Sequence, residues 1–283
     1  MAFIVRSKFP RTVRRFERAS KSVDSLGDKA IFFVKALASV PRALVHYRTE
    51  TIRLIAEISM GSGALAVIGG TVVIVGFLTL MAGGTIAVQG YSSLGNIGVE
   101  ALTGFFAAFI NVRIAAPVIS GIGLAATIGA GATAQLGAMR VAEEIDALES
   151  MAIRPVPFLV GTRVLAGLIA IVPLYALAVI ASFLASRFAT VVIYGQSAGV
   201  YDHYFSTFLI PSDILWSFIQ AIVMALAVML IHTYFGFTAA GGPVGVGVAV
   251  GNAVRASLVA VVTVTLLISL AIYGTSGNFH LSG

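Results

Sequence analysis

The chain has 283 residues, of which 58% are hydrophobic and only 11% charged. Soluble domains average roughly 45–50% apolar and about 25% charged residues, so a wholly water-facing fold is excluded. The net charge of +6 is no sign of nucleic-acid binding: 12 of the 18 Lys and Arg residues precede residue 54, and the rest of the chain holds six basic against eight acidic residues. Cysteine is absent, which excludes disulfides, thiolate catalysis and cysteine metal sites.

Residues 1–53 read as a basic cytoplasmic arm. No apolar core of signal-peptide type stands at its start, so no cleavage is expected. The basic run from Arg6 to Lys21 suits an anionic inner leaflet. Residues 30–47, AIFFVKALASVPRALVHY, are apolar but interrupted by Lys35, Pro41 and Arg42. This predicts an amphipathic helix lying in the interface, with a partly ordered basic tail as the alternative.

Residues 54–283 read as a five-span permease domain. An unpaired charge at the bilayer centre is costly, so charge-free stretches mark the spans. They run from Ile58 to Val99, Ile114 to Met139, Val164 to Ser186, Ile214 to Val254 and Ala256 to Gly283. A crossing helix needs about 20 apolar residues, which places spans at 62–82, 114–138, 160–185, 213–236 and 249–273. The run ALTGFFAAFINV between Glu100 and Arg113 is too short to cross and predicts a re-entrant or interfacial helix. The fold class is therefore an all-α integral membrane protein. With the N-terminus inside, the inner side carries sixteen basic residues and the outer side two, Arg113 and Arg187. That asymmetry satisfies the positive-inside rule; a sixth span would weaken it to fourteen against four.

In the second span Gly121, Ala125, Gly129 and Thr133 recur at spacing four. Small residues so placed let helix backbones approach closely, either within the chain or between subunits. The inner loop that follows, residues 139–153, is the most informative segment. Glu143, Glu144, Asp146 and Glu149 fall within seven positions, although an anionic leaflet favours basic residues there. Val141, Ile145, Leu148 and Ala152 share one apolar stripe at helical spacing, and Arg154-Pro155 ends the element. An amphipathic acidic helix of this kind suits docking on a cytosolic protein; a solvated acidic loop is the bland alternative.

Past the third span, Tyr194, Tyr201, His203, Tyr204, Phe205, Phe208 and Trp216 predict an aromatic belt at the outer interface. Gly195-Gln196-Ser197-Ala198-Gly199 matches GxSxG, with Asp202 and His203 nearby. A nucleophile elbow needs a strand–turn–helix setting, which a loop between membrane helices lacks, so no catalytic residue is assigned. His46, His203, His232 and His280 lack metal-ligand spacing, and no metal site is expected. No GxxxxGK[ST] motif occurs, so the chain is no P-loop ATPase. Two classes compete: the membrane half of an ATP-driven transporter, and an ion-coupled secondary transporter, which would need paired repeats and midplane ionisable groups. The first is favoured, with an apolar cargo.

The segment LGAMRVAEEIDALESMAIRPVPFLVGTRVLAG resembles the signature of the MlaE/YrbE permeases, membrane subunits of MCE-type lipid ABC transporters. GGPVGVGVAVGNAVRASL from Gly241 is similar to their other inner-loop motif, and the likeness covers the chain from about residue 50. The resemblance implies a coupling helix at 139–153, with Arg140, Glu143, Glu144, Ile145, Asp146, Leu148 and Glu149 contacting a cytosolic ABC ATPase dimer. That dimer would carry the ATP and Mg; no cofactor is expected in this chain. It also implies a second YrbE-type permease as heterodimer partner, outer MCE-domain proteins forming a lipid tunnel, and residence in the bacterial inner membrane with a periplasmic C-terminus. The segments YGQSAGVYDHYFSTFLIPSDILWSF and YGTSGNFHLSG resemble the second, B-type YrbE permease of the actinobacterial sterol-uptake MCE system, implying import of a sterol such as cholesterol. Fatty acid or phospholipid is the alternative cargo. A lipid path is expected along Phe77, Leu78, Phe105, Phe106 and Phe109. The chain departs from the family pattern at Ile114-Ala115-Ala116-Pro117, where Glu-Leu-Gly-Pro is frequent, at Thr127, where Arg is common, and at Gln135, where Glu is common. Loss of those charges fits one specialised half of a heterodimer.

Overall fold

A computed structural model describes the backbone of residues 10–60 and 65–273, with side chains at 27–55 and 70–272. The side chains of the basic run Arg6–Lys21, together with the C-terminal YGTSGNFHLSG motif beyond Tyr273 and His280 within it, lie outside the described residues. The described chain is helical apart from short connections, with no strand among the described residues.

The arm comprises α1 (Pro10–His46) and α2 (Arg48–Met60), and the chain turns by 99° between Gly27–His46 and Arg48–Ile55. Ala36, Ser39 and Ala43 are buried, as residues spaced three and four apart on one helix face can be. This face packs on residues 156–161, where a Cβ at Gly161 would lie 2.7 Å from Ser39 Oγ. Phe32 and Phe33 meet Tyr234 at ring-centroid distances of 5.3 and 6.0 Å. The arm thus clasps the body, while Val34, Leu37, Leu44 and Val45 remain exposed.

Five helical stretches are long and apolar enough to cross a membrane: Gly70–Gly95, Glu100–Val141, Val156–Ile193, Pro211–Phe237 and Gly242–Ile272. They match the five expected spans in number and order. The first lies within α3 (Leu65–Gly95) and extends well past residue 82. Its far end has partners that hold it helical: Gly90 faces Phe106, and Tyr91 stacks on Tyr194 at 4.3 Å.

The second span departs most from expectation. The ALTGFFAAFINV run is helical but is not a separate re-entrant element. It forms α4 (Thr103–Ile110), which passes without a break through a π turn into α5 (Ala116–Leu124), and through a second π turn into α6 (Ala130–Val141). Pro117 explains the first π turn. It has no N–H to offer and its ring crowds the preceding carbonyls, so Ala116 N–H reaches back five residues to Asn111 O. Such a π turn absorbs the extra residue while leaving the helix axis continuous. At 1.5 Å per residue, 42 residues make a rod of about 60 Å, twice the roughly 30 Å hydrocarbon core. A helix of that length cannot lie wholly within the core along the bilayer normal.

A short helix, α7 (Glu144–Ser150), follows. The third span enters through a π turn at Val156–Gly161, continues as α8 (Thr162–Phe188) and leaves through another at Ala189–Ile193. Next come α9 (Ala198–Phe208), α10 (Pro211–Phe237) and α11 (Gly242–Tyr273). Gly241 and Gly242 make the α10–α11 turn with φ of 92° and 70°, a region open to glycine at little cost.

Spans two, three and four form the core, around Leu124, Val160, Val164, Ile171, Met224, Val228 and Met229. Glycines set the spacing. A Cβ at Gly83 of α3 would sit 2.5 Å from the Ser182 carbonyl oxygen, and one at Gly129 would sit 2.6 Å from the His232 ring. Gly121, Ala125, Gly129 and Thr133 are all buried. Gly121 faces Met224 and Val261, and Thr133 Oγ1 lies 2.7 Å from His232 Nδ1. This row packs α5 and α6 against α10 and α11 inside the chain, so of the two readings the intramolecular one describes these contacts.

Candidate coupling site

The acidic segment sits at the arm end of the body. Its helix is shorter than the sequence suggests: α6 ends at Val141, Glu143 takes φ 60°, and α7 covers only Glu144–Ser150. The C-terminus closes as a Schellman motif. Ile153 N–H donates to Leu148 O and Ala152 N–H to Glu149 O, with Ala152 in the left-handed region at φ 59°, where glycine is usual. Two non-glycine residues in that region bracket a single short helix, each costing of order 1 kcal/mol or more. Tertiary contacts must hold such an element, since an isolated helix of this length is unstable.

Ile145 provides that hold. It is completely buried and packs with Leu136 of α6 and Leu159 of the third span, flanked by Met139, Leu148, Phe158 and Phe237. The apolar stripe expected to enter a partner's groove is turned inward instead. Ile145 is therefore no surface contact, Leu148 is half-buried, and Val141 and Ala152 are exposed beyond the helix ends. Burial wins because the ends of α6 and the third span leave an apolar socket beside the loop, and an isoleucine there removes its side chain from water.

The carboxylates point the other way. Glu143, Glu144, Asp146 and Glu149 are exposed, and Arg140 Nη1 lies 2.8 Å from Asp146 Oδ1. Exposed pairs of this kind contribute less than about 1 kcal/mol, so Arg140 biases the loop without locking it. Glu144 and Asp146 occupy the first turn of α7, where the helix dipole favours negative charge. The result is an acidic knob on an apolar plug that touches the ends of two spans.

The opposite end is a packed cap. Gly104 of α4 lies against α9, where a Cβ would be 2.5 Å from Tyr201 O. Phe105 meets Phe208 at 4.7 Å and Phe109 at 5.7 Å, and the Phe109 ring lies 4.0 Å from the Arg113 guanidinium carbon. Arg113 also binds Asp213 at 2.7 Å, both side chains about 15% exposed. The expected aromatic belt is thus partly an interior layer. Tyr201 is buried, with burial pushing its hydroxyl pKa far above the ordinary range, whereas His203 and Trp216 remain exposed. Of the expected lipid-path residues, the structure gathers Phe105, Phe106 and Phe109 into this cap. Phe77 and Leu78 lie elsewhere, exposed on the first span. An apolar groove of about 630 Å³ does run between the first and third spans, lined by Leu80, Met81, Gly84, Val88, Leu184 and Phe188 among others. Sequence could not reveal it, because it exists only where two spans lie side by side.

The GxSxG segment joins the third span to α9 with Gly195 at φ 70°. Asp202 is held by Arg187 through two hydrogen bonds of 2.9 Å and has no strand-borne serine to serve. At the positions departing from the family pattern, Thr127 Oγ1 donates to Gly123 O within its own helix and Gln135 is exposed.

Five membrane-length helices, a central glycine-packed bundle and an acidic knob at one end define a multi-pass helical membrane protein. The Permease MlaE family matches residues 60–271, and the chain belongs to that family. It is 27% identical to a probable ABC transporter permease protein of Rickettsia felis, over 91% of this chain and 93% of the relative. It is 28% identical to the chloroplastic protein TRIGALACTOSYLDIACYLGLYCEROL 1 of Arabidopsis thaliana, over 64% of this chain and 52% of the relative. A similar protein of Synechocystis, also a probable ABC transporter permease, is 25% identical over 59% of the chain.

Proposed function

We propose that the protein is one membrane half of an MCE-type ABC transporter that imports lipid across the bacterial inner membrane. In this reading residues 1–53 form an arm on the cytoplasmic leaflet, 54–283 form the permease body, and the C-terminus is periplasmic. The partners are a second permease of the same kind, a cytosolic ATPase dimer carrying ATP and Mg, and outer MCE-domain proteins. The single observation that carries the proposal is the acidic knob on its buried plug. An ATPase that closes on Glu143, Glu144 and Glu149 pushes on α7. Ile145 passes the push to Leu136 and Leu159, because close-packed interiors transmit strain. The second and third spans then shift against their neighbours and open or squeeze a lipid passage.

A paired subunit is supported by exposure. Only 11% of the fifth span's most apolar window and 28% of the first span's are buried, against 44–56% for the other three. The Arabidopsis relative bears the name of a galactolipid, which favours a lipid cargo, and the likeness of the outer-loop and C-terminal motifs to sterol-system permeases favours a sterol. Reversing Glu143, Glu144, Asp146 and Glu149 to lysine should abolish co-purification of the ATPase; intact association would overturn the coupling role. Sterol among the lipids released from the native complex is the expected cargo result. Ion-gradient transport by the isolated chain would overturn the ATP-driven reading.

A further inference from the structure

The arm and the acidic loop flank a cleft of about 650 Å³ that shares only Glu149 with the coupling contacts. Lys35 and Arg42 enter it from α1, and Arg154 and Glu149 from the far side. Lys35 and Arg42 are seven residues apart, two turns along one helix face. Among the described residues, none of these four side chains makes an ion pair or a hydrogen bond to another side chain. The cleft therefore holds three cations against one carboxylate, with no internal neutralisation. Like charges gathered around a concave wall raise the local potential and concentrate counter-ions.

We propose that this cleft binds the phosphate of an anionic phospholipid. A lipid phosphodiester carries one negative charge and so offsets half of the surplus of two, through charge-assisted hydrogen bonds from Arg and Lys, which are the strong kind. The lipid rather than a soluble phosphate is indicated by the walls. Ile153, Pro155 and Val156 line the cleft beside the cations, and on α1 the neighbouring Val34, Leu37 and Val45 are exposed at 65%, 41% and 59%. A headgroup seated between the cations leaves its chains on that apolar flank, as an interfacial helix requires. The bound lipid would tie α1 to the segment that ends α7, so leaflet composition would set how firmly the acidic knob is based.

The test uses the full-length protein in nanodiscs of phosphatidylcholine with a minority of phosphatidylglycerol, with bound lipid counted by native mass spectrometry after detergent release. Wild type should retain phosphatidylglycerol selectively. Arg42→Gln and Arg154→Gln should each lower that retention about fivefold, the ratio corresponding to about 1 kcal/mol per cation at an anionic surface. Arg48→Gln, an equal charge loss on the exposed start of α2, should leave it unchanged, and Arg42→Lys should keep most of it. Equal losses in Arg42→Gln and Arg48→Gln would mean diffuse surface attraction and overturn the site, as would full retention in both cleft variants. Displacement of the lipid by millimolar-range inorganic phosphate would overturn the lipid assignment in favour of a soluble anion. Because binding alone is read, failure here leaves the transport proposal standing, and failure of that proposal leaves this one measurable.

Discussion

Ile145→Ala isolates the plug from the charge it carries. The side chain is completely buried between Leu136 and Leu159, and truncating a buried isoleucine to alanine costs about 2–5 kcal/mol. The low end applies, because α7 lies at the rim of the body where neighbours can relax. A loss of about 2–3 kcal/mol raises the opening equilibrium roughly 30- to 150-fold. The effect should stay local: α7 has seven residues and cannot persist without its anchor. Hydrogen exchange of the full-length protein in detergent should therefore show lost protection at amides 147–153, while those of α8 and α10 stay protected. Ala152→Gly should do the reverse, gaining about 1 kcal/mol by removing the left-handed penalty at φ 59°. Unchanged protection of 147–153 in Ile145→Ala would refute the plug, and a collapse of the whole bundle would show that Ile145 belongs to the global core instead.

Gly83→Ala should lower the thermal midpoint by prising the first and third spans apart, since its Cβ would meet the Ser182 carbonyl at 2.5 Å; overpacking of this kind costs about 1–3 kcal/mol. Gly84→Ala faces open space and should be near neutral in the same melting assay. Arg113→Ala leaves Asp213 uncompensated in a mostly buried site and should cost about 3–5 kcal/mol, with Arg113→Met combined with Asp213→Leu recovering most of it in a double-mutant melting comparison. At the exposed Arg187–Asp202 pair, the Arg187 hydrogen bonds hold the Asp202 carboxyl below its ordinary range. A depressed carboxylate stabilises above the unfolded value of about 4 and loses that contribution as pH falls through the folded value. Arg187→Gln should therefore lower the melting midpoint slightly at neutral pH and flatten this acid limb, the variant and wild type converging below that window.

Much of this architecture was legible in the chain. The five spans follow from charge-free length alone, because lipid penalises unpaired charge whatever the tertiary fold. The acidic loop stood out for the same reason: with so few charges beyond residue 53, four carboxylates in seven positions are conspicuous. The direction of that helix was not legible. A stripe of Val141, Ile145 and Leu148 says only that one side avoids water, and the burial partner depends on Leu136 and Leu159 meeting at the ends of two other elements. The extent of the ALTGFFAAFINV helix was not legible for a related reason: Arg113 ends a charge-free window, yet Asp213, a hundred positions away, neutralises it and lets the helix run on. The glycine row shows the limit most plainly, since spacing announces a close approach without naming the neighbour. Hydrophobicity and charge act on each residue through its solvent, so sequence determined which segments enter the membrane and where the acid is concentrated. Contacts act between segments, so only the folded arrangement decided that Ile145 is a plug, that Gly129 faces His232, and that Lys35, Arg42 and Arg154 share one cleft.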